Sequence, residues 1–324
     1  MARNDPIERA LTRLGELRHA GPTAAVTEEL RGLLLNRSNL VAAKAAAVVR
    51  ELRIVALVPE LATAFNKFMA DAPRLDKRCA ALTEITSALY ELDYDQPDPY
   101  LAGIRHVQLE GSFGPPVDEA AKLRAVSAQG LLRTQYAEAL FKVVELLVDR
   151  EPAARIGAIR ALAANGGEAG TLLLRLKVLT GDAEPVVLAE CFSGLLIASP
   201  DKSITFVAKY IDAKDEATAE GAMLALGESR LPAAYEVLKE KWDRTVLMPE
   251  RKVLLAAMAA SKLDEAISFL VSLLESASVP LTVAALEALS IYRHNERISK
   301  SVRTALLTRN EKPVAEAYRS AFGN

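Results

Sequence analysis

Cysteine and aromatic side chains are scarce in this chain, and long uncharged stretches are missing from it. Its two cysteines, Cys79 and Cys191, lie far apart, each inside an apolar run, so neither a disulfide framework nor a cysteine-rich zinc site can be assembled. Both are expected to pack as buried thiols, as free cysteines of a reducing compartment do. No segment approaches the ~18 uncharged apolar residues that a membrane-crossing helix needs. Residues 1–14 carry charges throughout and no apolar core of the signal-peptide kind. A soluble, cytoplasmic protein with no membrane partner is the expectation. An excess of one charge is lacking too. The formal net charge is −2, whereas tracking a nucleic-acid backbone takes surplus Lys and Arg to displace counterions. Nucleic acid is therefore not the expected partner. Strand formers nowhere alternate over a long stretch, so no large sheet is expected.

The chemistry of catalysis is equally sparse. His19, His106 and His294 are isolated from one another, and none is followed by Glu. There is no Gly-rich phosphate loop after a strand, no Gly-x-Ser-x-Gly elbow and no Cys/His nucleophile pair. Asp93, Asp95 and Asp98 could in principle gather a hard cation, but Pro97 and Pro99 break the calcium-loop spacing. They read as a solvated, helix-capping turn. Asn165-Gly166-Gly167 reads as a turn between helices, and Trp242 as packing. No catalytic residue, metal site or cofactor is expected.

What the chain has in quantity is Ala and Leu, within a composition 51% hydrophobic, 25% charged and 5% aromatic. Small and unbranched side chains favour helices and let them approach closely. A repeat organises them. Asp149-Arg-Glu-Pro152-Ala-Ala-Arg155-Ile-Gly-Ala158 runs on to Leu162, and Asp182-Ala-Glu-Pro185-Val-Val-Leu188-Ala-Glu-Cys191 runs on to Leu195, 33 residues later. Asp ends a turn and can cap the coming helix, and Pro suits its first position because its missing N–H would have no partner there. Small residues and then Leu lay one narrow stripe along that helix.

The closing apolar position recurs at Val49, Ile85, Leu131, Leu162, Leu195, Leu226, Ala260, Leu289 and Phe322, mostly 29 to 36 residues apart. Amphipathic runs at 136–148, 171–179, 204–211, 233–242, 266–274 and 298–307 lie between these helices, so each unit reads as helix, turn, helix. About nine pairs, preceded by a short helix over 6–19, account for nearly all of residues 1–324 as a single solenoid.

On Asp149, Pro152, Arg155, Ala158 and Leu162, with their equivalents one unit later, the chain resembles HEAT repeats, particularly the short bacterial form related to phycobilin-lyase repeats. The resemblance implies an all-α, right-handed α–α superhelix. In that family Asp and Arg form a ladder between adjacent repeats. Asp149/Arg155 and Asp118/Arg124 share its six-residue spacing and Asp71/Arg78 is one residue off, while Leu188, Ala219, Val253, Thr282 and Ala315 hold the Arg slot elsewhere. The paired His-Glu motifs of the HEAT-fold iron hydroxylases are absent.

One stretch breaks the period. The step from Ile85 to Leu131 spans 46 residues and holds an irregular insertion over 93–116, rich in Pro and Gly. Within it Arg105-His-Val-Gln-Leu-Glu alternates briefly and can form a short strand or hairpin before Gly111. The insertion either packs over a flank, anchored by Tyr100 and Phe113, or forms a wall of a binding site. In the second case Tyr94, Tyr100 and Phe113 supply contact area, and Arg105, His106, Gln108 and Glu110 the directional polar contacts.

Along the second helices the outward positions are mixed: Gln129, Arg160, Glu190, Glu220, Arg251 and Glu287. The preferred expectation is a non-catalytic scaffold binding a protein or peptide through the insertion over 93–116 and the concave face that second helices line in such solenoids, at positions such as Arg160 and Glu190. One alternative, implied by the resemblance, is a phycobilin-lyase-like chromophore-handling protein, with Tyr100, Arg105 or His106 converging on a pocket. Another is a nucleic-acid binder using Arg251 and Lys252 with Lys239 and Lys241.

Overall fold

The structure, a computed structural model, describes residues 6–111 and 114–323. It is all-α apart from one small hairpin, and it divides into two compact units at Asn165/Gly166. The first unit opens on α1 (Pro6–Ala20) and continues through α2 (Ala24–Leu34), α3 (Asn39–Glu51), α4 (Val58–Met69), the single turn α5 (Ala72–Leu75) and α6 (Ala80–Glu91). It then runs through α7 (Asp98–Arg105), β1 (Leu109–Glu110), β2 (Val117–Asp118), α8 (Ala121–Arg133), α9 (Ala139–Glu145) and α10 (Pro152–Asn165). The second unit holds α11 (Gly167–Thr180), α12 (Pro185–Ala198), α13 (Pro200–Ala208), α14 (Glu216–Glu228) and α15 (Pro232–Arg244). It ends with α16 (Met248–Ser261), α17 (Asp264–Ser276), α18 (Val279–Leu289), α19 (Glu296–Ala305) and α20 (Lys312–Phe322).

After α1 the described helices follow one another as nine HEAT-like pairs, α2/α3, α4/α6, α7/α8 and α9/α10, then α11/α12, α13/α14, α15/α16, α17/α18 and α19/α20, the last placed by α19 against α17 and α20 against α18. In each unit the second helices stack on one another, α3 on α6, α6 on α8 and α8 on α10, and α12 through α20 in the same manner. The repeat spacing therefore has its structural counterpart. Of the nine closing positions, seven are buried, and only Ala260 and Phe322 remain half-buried.

Proline opens many of these helices, as its locked φ and missing N–H allow. Aspartate shapes the turns before three second helices. Asp118, Asp149 and Asp182 each accept the N–H two residues on, from Ala120 (3.0 Å), Glu151 (2.8 Å) and Glu184 (2.9 Å). Close approach of the second helices is enforced by glycine: a Cβ on Gly227 of α14 would overlap the carbonyl of Ala257 in α16.

The ladder takes a form of its own. Arg124 bridges Asp118 of its own turn (2.8 Å) and Asp149 of the following repeat (2.8 and 3.0 Å). Arg155 donates to the carbonyls of Asp149 (2.7 Å) and Arg150 (3.1 Å). At the earlier turn Asp76, rather than Asp71, is the structural acid, accepting the N–H groups of Ala81 and Leu82 at 2.9 and 2.8 Å. Asp71 instead lies 3.9 Å from Arg74 on the surface.

Candidate functional site

The interrupted period proves to be a shortened first helix followed by a hairpin. Pro99 opens α7, so residues 98–105 of the expected irregular insertion are helical and serve as the first helix of the α7/α8 pair. Tyr94 is half-buried behind the last turn of α6, and Asp93, left-handed at φ 60°, pairs with Arg133 at 2.7 Å. Tyr100 is a correction to the sequence reading. It is 0% exposed, its ring lies against Gly130 of α8, and its hydroxyl donates to the Tyr94 carbonyl at 3.1 Å. Its contact area serves the core. Phe113 lies outside the described residues.

From His106 the chain turns into the strand pair, with Leu109 opposite Asp118 and Glu110 opposite Val117. Its inner face is polar and tied down. Gln108, 2% exposed, accepts from Cys79 Sγ (3.3 Å), faces His106 Nε2 (3.0 Å) and donates to the Asp76 carbonyl (2.8 Å) and to Glu110 Oε1 (2.5 Å). Glu110, half-buried, accepts the backbone N–H of Arg78 at 2.8 Å. Gln108 and Glu110 thus anchor the hairpin to the start of α6 instead of offering contacts to a partner. His106 is half-buried on Gln108, and only Arg105 of the four polar candidates is exposed.

The reason for this inward turn lies at residues 78–79. Arg78 and Cys79 both adopt left-handed backbone conformations, φ 62° and 48°, which cost a non-glycine residue roughly 1–2 kcal/mol each. Asp76 holds the far side of the kink and Glu110 takes the Arg78 amide, so the hairpin offsets that strain. Electrostatics follow the same design. Burial would raise the Asp118 carboxyl, but the amides of Gln108 and Ala120 and the Arg124 guanidinium hold it below its usual value. Glu110 likewise overcomes its burial through Gln108 and the Arg78 amide and is lowered. Burial pushes the Cys79 thiol up to about 12, which leaves it protonated and unreactive at neutral pH.

Three branched apolar side chains of the hairpin are exposed: Val107, Leu109 and Val117, at 58%, 65% and 57%. Val107 and Leu109 alternate onto the face opposite Gln108 and Glu110, whereas Val117, paired with Glu110, projects on the same side as Glu110. The sequence reading did not single them out. The same alternation that named Gln108 and Glu110 contains Val107 and Leu109 in the opposite phase.

The other candidates lie on other elements. Arg160 is exposed on α10 in the first unit, and Glu190 is half-buried on α12 in the second. Tyr100, Arg105 and His106 do not converge, since one is in the core, one is exposed and one rests on Gln108. The basic set considered for nucleic acid is largely neutralised: Lys241 by Asp212 (2.8 Å) and Glu250, Lys239 by Asp243 (2.6 Å), and Lys252 by Glu287 (3.5 Å). Arg251 donates to the Thr245 carbonyl (2.8 Å) and stacks over Trp242, itself packed edge-on against Phe269. Among the described residues no helix is long and apolar enough to cross a membrane.

No protein-family model matches the chain, and no curated protein sequence does. Several solved structures align with it. The complex of CpcE and CpcF of phycocyanin lyase from Nostoc sp. PCC7120 aligns at TM-score 0.39 and 14% identity, over 78% of this chain and 94% of that one. Human deoxyhypusine hydroxylase aligns at TM-score 0.30 and 17% identity, over 83% of this chain and 97% of that one. The Pds5–Scc1 complex aligns at TM-score 0.30 and 10% identity, over 99% of this chain and 62% of that one. The class of the protein, an array of HEAT-like helix pairs, rests on its own nine pairs.

Proposed function

We propose that the protein is a non-catalytic scaffold that binds a protein partner through the exposed Val107 and Leu109 of the hairpin. The observation that carries this reading is the combination of rigid anchoring inside with apolar exposure outside. Gln108 and Glu110 fix one face of the hairpin to α6, while Val107 and Leu109 of the alternate face are exposed. A lone exposed aliphatic side chain is ordinary, but two on one face of a pre-organised element suit an interface centre, because little ordering entropy is lost on binding. Arg105 beside it adds a directional polar contact at the rim. Arg160 of α10 and Glu190 of α12 are retained as further contacts, each within its own unit. Buried, unpaired Cys79 and Cys191 favour a reducing compartment, in keeping with a cytoplasmic location.

The test replaces Val107 and Leu109 together with Ser. These residues are exposed, so the melting curve should match that of the parent. Proteins captured from a native lysate by the parent should be identified by mass spectrometry, and the strongest of them measured by titration as a purified protein. Loss of about tenfold or more in affinity, as truncation within an interface centre gives, supports the reading. Unchanged affinity for every captured partner would remove the hairpin from it.

A further inference from the structure

We infer that a basic cleft on α19, remote in sequence from the hairpin, binds an acidic peptide segment. Residues 293–303 hold Arg293, Arg297, Lys300 and Arg303 against a single carboxylate, Glu296, in a chain whose net charge is −2. Arg297 is satisfied by Asp264 at 2.5 Å. The other three cations are not. Arg293, Lys300 and Arg303 line one open cavity of about 480 Å³ together with His294, Glu296 and Ser299. Among the described residues no carboxylate lies in ion-pair contact with any of the three. Elsewhere in the same unit Arg309 pairs with Glu311 at 3.1 Å and Arg244 with Asp212 at 2.7 Å. His294 does not quench the set either, since its Nε2 accepts from Arg293 Nε at 3.1 Å and carries no negative charge.

The geometry selects among anions. A compact phosphate is held best where several donors converge, commonly on the open amides of a helix start. Here that start is taken: Asn295 Oδ1 accepts the Ile298 N–H at 3.2 Å, and Glu296 stands in the first turn. The cations are instead strung out. Lys300 and Arg303 lie one turn apart on the exposed side of α19, about 4.5 Å along its axis, and Arg293 stands before the helix. Carboxylates spaced along a peptide suit such a row. Exposed Ile291, two residues before Arg293, offers an apolar contact that suits a peptide side chain better than a phosphate backbone. Opposite the row, Ile298, Val302 and Ala305 are buried and fix the helix in place, so its polar side is presented without reorganisation.

The experiment is a fluorescence-anisotropy titration of the whole protein with a labelled ten-residue peptide of alternating Glu and Ala. A Gln/Ala peptide and a ten-nucleotide oligo-dT are run in parallel. The expected result is binding of the Glu peptide that weakens as salt rises, with none of the Gln peptide. In the triple variant Arg293→Gln, Lys300→Gln, Arg303→Gln it should weaken about tenfold, the scale of three exposed ion pairs. A charge-matched control on the first unit, Arg9→Gln, Arg37→Gln, Lys122→Gln, should bind as the parent does. Equal weakening in both variants would show attraction by overall charge and overturn the assignment. So would unaltered binding in the first variant, equal binding of the Gln peptide, or oligo-dT binding tighter than the peptide at these residues. The site is independent of the hairpin, so failure of either proposal leaves the other standing.

Discussion

At the residue scale, much of the packing turns on positions where a single methyl group decides. Gly130 is the clearest: the Tyr100 ring occupies the space its side chain would take. A glycine in the middle of a helix destabilises it by roughly 0.5–1 kcal/mol relative to alanine, so it persists where something else fills the gap. Gly130 was therefore the available signal that an aromatic side chain about thirty residues earlier belonged to the core. Gly227 makes the sharper test, because the obstacle there is the Ala257 backbone carbonyl, which cannot swing aside. Gly227→Ala is expected to lose about 1–3 kcal/mol by overpacking. Gly15→Ala on α1, with open space around it, should gain up to about 1 kcal/mol. Urea denaturation of the two variants gives both numbers. Opposite expectations for one kind of substitution leave no room for a general glycine effect.

At the element scale, the hairpin shows both what the sequence discloses and what it conceals. Alternation in 105–110 announced a strand, and a strand is present. The phase was the hidden part. A period of two is satisfied with either face inward, and the ordinary preference puts apolar residues inside. Here the preference is reversed because the polar face answers a demand from elsewhere: the Asp76 carbonyl and the Arg78 amide need partners. That demand arises from two left-handed residues, Arg78 and Cys79, at a place where no glycine marks the turn. The helix pairs, by contrast, were largely legible, since proline, aspartate and a small-residue stripe each act within a few residues of one another; the exception is α7, which the expected insertion over 93–116 concealed.

The anchoring carries a pH signature. Asp118 and Glu110 are held below their ordinary values of 3.8 and 4.5. A depressed carboxyl contributes stability that is fully present above its unfolded value and is lost as pH falls through the folded one. Pepsin cleavage within 106–118 is therefore expected to rise as pH drops below about 4, ahead of cleavage in the helices. Asp118→Asn should show the same opening to thermolysin at neutral pH, with Asp149 left as the one charged partner of Arg124. Cleavage of the helices first, or an Asn variant as resistant as the parent, would contradict the anchoring role.

At the scale of the whole molecule, stacking makes each pair depend on its neighbours within its unit. The pair α19/α20 touches only α17 and α18 to any extent among the described residues. Truncation after Ser290 should therefore remove one pair and one interface and leave the rest folded, as stability in such arrays is close to a sum of nearest-neighbour terms. Circular dichroism should show an unchanged helical signal per residue, and the urea slope should fall in proportion to the surface removed. Collapse of the helical signal across the remaining residues would show that the array is not additive. The same truncation removes the basic cleft while leaving the hairpin, so a single shortened chain separates the two binding surfaces.

The polar ties between repeats share a reach. Arg124 meets Asp149 25 residues on, Lys67 meets Leu35 across 32, Arg309 meets Leu274 across 35 and Asn39 meets Asp76 across 37. None of these asks for closure of a long loop, which is the slow step in folding non-local topologies. A helix pair emerging from the ribosome finds such partners one pair later, when about 35 more residues have been made, a matter of seconds at the ~5–20 residues per second of synthesis. Folding within each unit can thus keep pace with translation, and a newly made apolar stripe is covered before much of the following chain exists to compete for it.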